Sequence, residues 1–279
     1  MPELHKRRLG KTNLQVTELG LGAMDTPQST EGEATLHLAL DLGINYIDTA
    51  RIYQGSEYLI GQVIAARRRK DFYVASKTIN RTRDGSQYDV DRSLRLLGVE
   101  RIDVYQLDDV LPDDWDKTMQ EGGALEGLQI AKYRGLIDHI GITSHSMEVL
   151  EKAITCGEFE TVMLEYSAFF HEETEPLIRL AQQRDVGVIV MRPLGGSGRT
   201  SVIRARQASG QGSPVAAGDL LRYVLSNPGI SVAIPGARYP DRVRDNVALT
   251  QTYQPFTEAE KQACESAAQH LFKGSFQGS

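Results

Sequence analysis

Four ionisable side chains lie at or shortly after the ends of short apolar segments, and their types suit proton transfer. Asp48 ends INYID, Tyr53 follows five residues later, Lys77 follows FYVAS, and Asp108 follows IDVYQL. Each apolar segment has the length and composition of a strand. Because parallel strands that alternate with helices end on one face of a barrel, we expect the four side chains to share that face.

Tyr53, Lys77 and Asp48 together would form a tuned proton donor. A phenol has an ordinary pKa of about 10, and a neighbouring ammonium favours the phenolate and lowers that pKa. Asp48 would keep Lys77 charged and oriented, so we expect a lowered pKa for Tyr53. Taken singly, the three residues could be a packing phenol, a solvated strand end and a helix N-cap. Their joint placement favours catalysis.

Eight strand-like segments alternate with helix-like segments and predict the elements that position these side chains. Alternation with short turns indicates a closed parallel sheet, and 279 residues suit a single (β/α)8 TIM barrel domain over residues 1–279, with two domains as the alternative. The predicted strands are centred on residues 19–21, 45–47, 73–75, 103–105, 139–142, 162–164, 188–190 and 232–234. The predicted helices between them cover residues 31–41, 56–69, 88–97, 117–133, 147–155, 173–183, 214–226 and 241–249.

Three further segments complete the predicted architecture. GKTN separates two short strand-like pieces in residues 7–16, which indicates an N-terminal β-hairpin. Residues 258–271 are predicted to form a short C-terminal helix. Residues 192–212 contain GGSGR and further basic residues and are predicted to form a long flexible loop. Such a loop is typical of a lid or cofactor clasp, with a disordered surface insertion as the alternative.

Composition limits the classes of function. A formal net charge of −6 and a pI near 5.6 argue against a broad nucleic-acid-binding surface. Cys156 and Cys264 are far apart and lack metal-ligand spacing, so we expect reduced thiols and no metal. The sequence has no apolar run near 18 residues and no apolar signal-peptide core at its start. We therefore expect a soluble cytoplasmic protein that acts on a small molecule.

Several motifs, in order from about residue 7 to 250, resemble those of the aldo-keto reductase family. The resemblance implies a barrel whose bottom is closed by the hairpin. It also implies hydride transfer between a nicotinamide cofactor and a carbonyl, alcohol or enone, with Asp48, Tyr53 and Lys77 as catalytic residues. The matching segments are GLGAM, DTARIYQGSE, ASK, IDVYQLDD, HIGITSHS, MRPLGG and IPGARYPDRVRDN.

The resemblance also implies where the cofactor binds. The sequence has no Gly-x-Gly-x-x-Gly run between a strand and a helix, so we do not expect the Rossmann mode. Arg242 matches the residue that contacts the adenosine 2′-phosphate and Asn246 the one that contacts adenine, while Arg238 could add charge. NADP is therefore favoured over NAD, with a solvated helix face as the alternative for the arginines. The other expected cofactor contacts are Thr143, Ser144, Met191, Arg192, Pro193, Leu194 and Gly236.

The nicotinamide end departs from the family pattern at several positions. Thr143 and Ser144 stand where a Ser-Asn pair is common, and Met163 replaces a Gln that holds the carboxamide. Met191 replaces an aromatic residue that often stacks on the ring. The loss of two polar partners, at about 1 kcal/mol each, would loosen the nicotinamide ring without excluding it.

Asp108 stands where most family members have a histidine that orients and polarises the substrate carbonyl. An ionised carboxylate can only accept hydrogen bonds and would repel developing negative charge, so Asp108 must be protonated to assist ketone reduction. Three hypotheses stay open: an acid-assisted reductase, an oxidising enzyme with Asp108 as base, and a barrel with non-redox proton transfer. The alternative to a catalytic role is a structural one, in which Asp108 is a loop acid bound to backbone amides.

Two further expectations concern the pocket and the class of function. Trp115, the sole tryptophan, follows the fourth predicted strand, where family members place an aromatic residue of the substrate wall. A nucleotide-binding barrel with a regulatory function is the alternative to an enzyme. Substrate identity, reaction direction and oligomeric state do not follow from the sequence.

Overall fold

The computed structural model describes residues 3–67, 72–210 and 213–272, and it begins with a hairpin. Strand β1 (Lys6–Arg8) pairs antiparallel with strand β2 (Gln15–Thr17), and a 3-10 turn (Gly10–Thr12) connects them. The amide of Lys11 in this turn donates to the carbonyl oxygen of Asp185 at 2.7 Å. The predicted N-terminal hairpin is confirmed.

Within the described residues, eight parallel strands form one sheet in which each strand pairs with its neighbours in sequence. The last strand returns to the first: the Gly20 amide donates to the Ala233 carbonyl at 2.8 Å, and the Ala233 amide donates to the Glu18 carbonyl at 2.9 Å. These contacts confirm the predicted (β/α)8 barrel. The strands are β3 (Leu21–Gly22), β4 (Tyr46–Asp48), β5 (Tyr73–Thr78), β6 (Ile102–Leu107), β7 (Ile137–Thr143), β8 (Thr161–Glu165), β9 (Gly187–Met191) and β10 (Val232–Ala233).

Helices cover the outside of the sheet, and capping residues determine where several of them begin. The side chains of Ser29, Thr82 and Ser146 each accept a hydrogen bond from the backbone amide three residues later, as N-cap residues do. The α-helices of the described residues are α1 (Thr30–Asp41), α2 (Ser56–Arg67), α3 (Arg83–Leu97), α4 (Trp115–Met119), α5 (Ala124–Tyr133), α6 (Met147–Cys156), α7 (Thr174–Gln183), α8 (Gly196–Ala208), α9 (Ala217–Leu225), α10 (Pro240–Thr252) and α11 (Glu258–Phe272).

Two helix predictions differ most from the structure in their boundaries. The helix expected over 88–97 begins at Arg83, because Thr82 caps a polar first turn that apolar periodicity does not mark. The helix expected over 117–133 is two helices, α4 and α5, because the chain turns at Gly122, where φ is 77°. Residues 68–69 of the helix predicted over 56–69 lie outside the described residues.

The long flexible loop predicted over 192–212 is also wrong, because α8 occupies most of this segment. Gly195, just before the helix, and Gly196, its first residue, have φ values of 81° and 85°. Their glycine-rich context suggested a loop, whereas the buried side chain of Ile203 ties the helix to the core. Residues 211–212 lie outside the described residues.

Apolar side chains pack in two layers, one between the sheet and the helices and one inside the barrel. Leu9 and Val16 from the hairpin belong to the inner layer. Gly10 lies so close to the start of β9 that a Cβ there would be 2.2 Å from the Gly187 nitrogen. The hairpin thus closes the N-terminal end of the barrel and leaves the C-terminal end for the site.

Candidate active site

Three neighbouring strands bring Asp48, Lys77 and Asp108 to the C-terminal end of the barrel. Asp48 is the last residue of β4, Lys77 the second-last of β5, and Asp108 the first after β6. The ammonium of Lys77 donates to Asp48 Oδ1 and, at 2.8 Å, to the carbonyl oxygen of Thr49. The structure therefore brings together the residues that the strand ends predicted.

Asp48 and Lys77 form a buried ion pair, with exposed fractions of 2% and 1%. Burial raises the pKa of Asp48 to about 6, while Lys77 and a hydrogen bond from Gln106 oppose this rise. Burial lowers the pKa of Lys77, but attraction to Asp48, Tyr53 and Asp108 outweighs it, so this pKa is raised. Both groups are therefore charged at pH 7. Gln106 was not predicted as a site residue, although it lies two positions before Asp108 and so on the same side of β6.

Tyr53 lies in the connection between β4 and α2, and the Lys77 ammonium is 5.0 Å from the centre of its ring. Burial raises the pKa of Tyr53, Lys77 opposes that rise, and Asp48 and Asp108 add to it. The net direction is upward, so the expected lowered pKa is wrong. One ammonium is outweighed by burial together with two carboxylates.

A buried polar network holds the connection that carries Tyr53, and the sequence did not predict it. Arg51 pairs with Glu57 at the start of α2, and its Nε lies 3.5 Å from Asp89 Oδ1 on α3. Glu57 Oε1 accepts a hydrogen bond from the hydroxyl of Ser76 at 2.6 Å. The network joins this connection to β5 and α3, and it therefore fixes the backbone on both sides of Tyr53.

Among the described residues, a side chain and no backbone amide donates to the carboxylate of Asp108. Its Oδ1 accepts a hydrogen bond from the hydroxyl of Thr143 at 3.0 Å, and that hydroxyl accepts the Asp109 amide at 2.8 Å. Arg81 donates to the carbonyl oxygens of Asp108 and Asp109 and pairs with the carboxylate of Asp114. The expected alternative, an acid bound to backbone amides, is therefore wrong.

Thr143 and Ser144 are engaged within the chain. The Thr143 hydroxyl joins Asp108 to the Asp109 amide, as described above. The Ser144 hydroxyl donates to the Val110 carbonyl at 2.7 Å and accepts the Ser146 amide at 3.0 Å. These bonds tie the end of β7 to the end of β6. The role of both residues toward a nicotinamide stays a prediction.

A second charged group lies on the opposite side of the barrel mouth. Glu165 at the end of β8 pairs with Arg192 and lies 3.1 Å from Nδ1 of His145. Burial raises the pKa of Glu165, but these two partners outweigh it and the pKa is lowered. The hydrogen bond with Glu165 raises the pKa of His145. Arg192 has a φ of 51°, and this left-handed backbone is uncommon for a residue with a side chain.

The residues predicted to hold the adenosine phosphate lie before and within α10. Arg238 Nη2 is 3.3 Å from Asp25 Oδ1, and Arg242 Nη1 is 3.7 Å from Asp245 Oδ2. All four of these side chains are exposed. Ion pairs this exposed are weak, so an incoming phosphate can compete with the carboxylates. Asp25, which follows β3, was not predicted.

The remaining predicted site residues differ in burial. Met163 is buried in the layer inside the barrel, and the partly buried Met191 packs against that layer. Pro193 is buried and Leu194 partly buried. Trp115 begins α4 in the connection after β6, where the prediction placed it, and Lys152 Nζ is 5.9 Å from the centre of its ring. Gly236 lies before α10, and Asn246 lies in the middle of that helix, one turn after Arg242.

Three general features complete the description of the site. Across residues 3–67, 72–210 and 213–272 no cluster of three His, Cys, Asp or Glu side chains is arranged to hold a metal ion. The helices of these residues are all too short or too polar to cross a membrane. Cys156 and Cys264 are both free.

Comparisons with known proteins agree on a family. Residues 18–216 match the model of the aldo/keto reductase family. A relative from Bacillus subtilis, "Uncharacterized oxidoreductase YqkF", is 28% identical over an alignment that covers 97% of this chain and 99% of the relative. L-galactose dehydrogenase from Arabidopsis thaliana is 25% identical, with 89% and 88% covered.

Solved structures give the same result for the fold. The holo form of aldo-keto reductase AKR11C1 from Bacillus halodurans is 26% identical and superposes with a TM-score of 0.80, covering 95% of this chain and 96% of that protein. The Bombyx mori aldo-keto reductase AKR2E4, solved in complex with NADP, is 22% identical with a TM-score of 0.74 and covers 96% and 94%. At this lower identity the likeness shows the fold alone.

Proposed function

This chain belongs to the aldo/keto reductase family, and from this premise we propose that it is an NADP-dependent oxidoreductase with Tyr53 as its proton donor and acceptor. Its substrate is a carbonyl compound, the corresponding alcohol, or an enone. The observation that carries the proposal is the buried contact of Lys77 with Asp48 beside the ring of Tyr53. These side chains lie at the C-terminal ends of barrel strands, which is where this fold builds active sites.

The cofactor is supported by the charged side chains around α10. Arg238 and Arg242 present exposed guanidinium groups, and among the described residues each forms one weak surface ion pair. A guanidinium matches a phosphate through two parallel hydrogen bonds, which favours the 2′-phosphate of NADP over the hydroxyl of NAD. Asn246 lies one turn beyond Arg242 on the same helix and would contact the adenine. When bound, the nicotinamide of this cofactor supplies or accepts the hydride.

In the reducing direction, Tyr53 donates its proton to the oxygen of the substrate carbonyl. Its raised pKa keeps the phenol protonated near neutral pH, so the acid is present in the form that the step requires. The Lys77 ammonium 5.0 Å from the ring centre stabilises the phenolate that remains. Asp48 holds that ammonium in place. In the oxidising direction the same groups accept the proton.

Asp108 occupies the side of the pocket beyond Lys77 and contacts the substrate. The Thr143 hydroxyl fixes its Oδ1, so Oδ2 is the oxygen available to a ligand. If this oxygen carries a proton, it donates to a carbonyl; as a carboxylate, it accepts from an alcohol or another donor. Trp115 forms part of the apolar wall.

An equilibrium titration with NADPH and NADH tests the cofactor, with Trp115 fluorescence as the signal and calorimetry as a second readout. We expect NADPH to bind more tightly, and Arg242→Ala to weaken it about tenfold or more. Arg244→Ala is the matched control, because Arg244 is exposed on the same helix and pairs with Asp241. Equal affinity for both nucleotides, or binding of neither, would contradict the proposal.

A further inference from the structure

The buried part of the site contains two carboxyl groups, Asp48 and Asp108, and one ammonium, Lys77. Lys77 neutralises Asp48 through a direct contact. Asp108 is 6% exposed, yet its carboxylate receives one hydrogen bond, from neutral Thr143. The nearby guanidinium of Arg81 binds backbone carbonyls and Asp114. In the part of the chain that the structure describes, the Asp108 carboxylate therefore forms no ion pair of its own, and the Lys77 ammonium that it attracts already contacts Asp48.

The charge of Asp108 acts on the space beside Tyr53. It attracts Lys77, and it raises the pKa of Tyr53 and of Asp48 by repulsion. Asp108 Oδ2 accepts no hydrogen bond from a described residue, while Thr143 fixes Oδ1. A substrate that reaches the phenol of Tyr53 thus meets a carboxylate that has no ion pair of its own and shares the attraction of Lys77 with Asp48.

This charge balance is unfavourable for one class of hydride acceptor and favourable for another. Hydride addition to a neutral carbonyl creates negative charge on oxygen, which an unpaired buried carboxylate repels. An iminium ion is already positive, and hydride addition makes it neutral. A carboxylate therefore binds the iminium and also raises the protonated fraction of an imine, because an opposite charge favours the charged form.

The rim of the barrel mouth adds a preference for apolar substituents. Met24, Ile52, Ile79 and Leu111 follow four successive strands, β3 to β6, and each side chain is about half exposed or more. These are the connections that carry or adjoin Tyr53 and Asp108. An apolar rim around a buried negative charge fits a hydrophobic cation better than a polar or anionic molecule.

We propose that this site reduces iminium ions with hydrocarbon substituents, in preference to neutral carbonyl compounds. The inference rests on the proposed function, since the electrons come from the dihydronicotinamide of NADPH. A C–H bond forms at the iminium carbon while the C–H bond of the dihydronicotinamide breaks. The π electron pair of the C=N bond moves to nitrogen, so the iminium is reduced and the cofactor is oxidised. The product is a neutral amine, and Tyr53 donates no proton.

Binding of a cation that cannot be reduced, measured without NADPH, tests whether the site prefers a positive ligand. The probe is N,N-dimethyl-1,2,3,4-tetrahydroisoquinolinium, titrated by calorimetry and Trp115 fluorescence. We expect Asp108→Asn to weaken its binding at least about tenfold, because the amide keeps the shape and removes the charge. Asp109→Asn, the neighbouring acid with a φ of 46° that Asn tolerates, should change the dissociation constant less than about twofold. Equal affinity of the wild type and Asp108→Asn overturns the inference.

Turnover with NADPH tests the reaction. The two substrates are N-methyl-3,4-dihydroisoquinolinium and α-tetralone, and each rate is measured after the rate without protein has been subtracted. We expect a higher kcat/KM for the cation. We also expect Tyr53→Phe to lower reduction of the ketone about 100-fold or more and that of the cation less than about fivefold, because only the ketone needs a proton. If the protein reduces the ketone and does not reduce the cation, the inference is overturned and the proposed function stands. Reduction of neither overturns both, whereas an equal loss of both activities in Tyr53→Phe overturns the inference alone.

Discussion

The two halves of the barrel mouth hold their charged side chains in different ways. On the β4 to β6 half, Asp48 and Lys77 are almost fully buried and contact each other directly. Breaking a buried pair from one side leaves an uncompensated charge and costs about 3–5 kcal/mol. This half is therefore arranged before any ligand arrives.

The β8 to β10 half holds its arginines at the surface. The exposed side-chain fractions are 55% for Arg192, 58% for Arg238 and 44% for Arg242, and each pairs with a single carboxylate. Pairs as exposed as those of Arg238 and Arg242 contribute about 0–1 kcal/mol. The difference indicates that the acid–base group on one side is fixed. On the other side, a phosphate can replace the carboxylates that pair with the arginines at a small cost in free energy.

Replacing Lys77 breaks the buried half and has the largest expected effect. Lys77→Met leaves Asp48 buried without its cation, so we expect the free energy of unfolding to fall by about 3–5 kcal/mol. Urea denaturation measures this change. Lys152→Met is the control, because Lys152 is an exposed cation paired with Glu148, and its unfolding curve should nearly coincide with that of the wild type. A small change for Lys77→Met would mean that the two halves do not differ as described.

Replacing Arg238 on the exposed half should change cofactor affinity and not stability, the opposite of what is expected on the buried half. Arg238→Ala should leave the unfolding midpoint in urea almost unchanged, because the pair with Asp25 is exposed. The same substitution should weaken NADPH about tenfold and leave NADH unaffected, since only NADPH carries the 2′-phosphate. Parallel titrations with the two nucleotides measure this contrast. A loss of stability without a change in NADPH affinity would assign Arg238 to the fold.

The His145–Glu165 contact is the place where the exposed half should respond to pH. The pKa of His145 is raised, first through its hydrogen bond with Glu165. The protonated imidazole therefore contributes stability that is complete below its ordinary pKa of about 6.5 and is lost as pH rises through the folded-state pKa. An NMR titration of the ring protons checks this, and Glu165→Gln should lower the pKa. An unchanged titration in that variant would exclude Glu165 as the cause.

The sequence predicted the fixed group well because strand ends determine it. Asp48, Lys77 and Asp108 each lie at the end of an apolar segment, and parallel strands of a barrel must end on one face. The direction of the Tyr53 pKa was wrong because burial depth, which no spacing encodes, outweighs the single ammonium. α8 was missed because Gly195 precedes it and Gly196 is its first residue, and glycines with positive φ are typical of a turn.

The partners of the predicted residues could not be found in the same way. The network of Arg51, Glu57 and Asp89 joins a loop to two helices, and the Arg238–Asp25 pair joins the first and last connections of the barrel. Contacts of this kind depend on how loops pack in three dimensions, and the periodicity of a single segment does not contain that information.

Single-turnover reduction of a carbonyl substrate by NADPH, compared in the wild type, Tyr53→Phe and Tyr58→Phe, tests the central proposal most directly. Tyr58 is an exposed phenol on α2, five residues from Tyr53. We expect Tyr53→Phe to lower the rate of hydride transfer about 100-fold or more with little change in NADPH affinity. Tyr58→Phe should match the wild type. A rate in Tyr53→Phe equal to that of the wild type would contradict the assignment of Tyr53 as the proton donor.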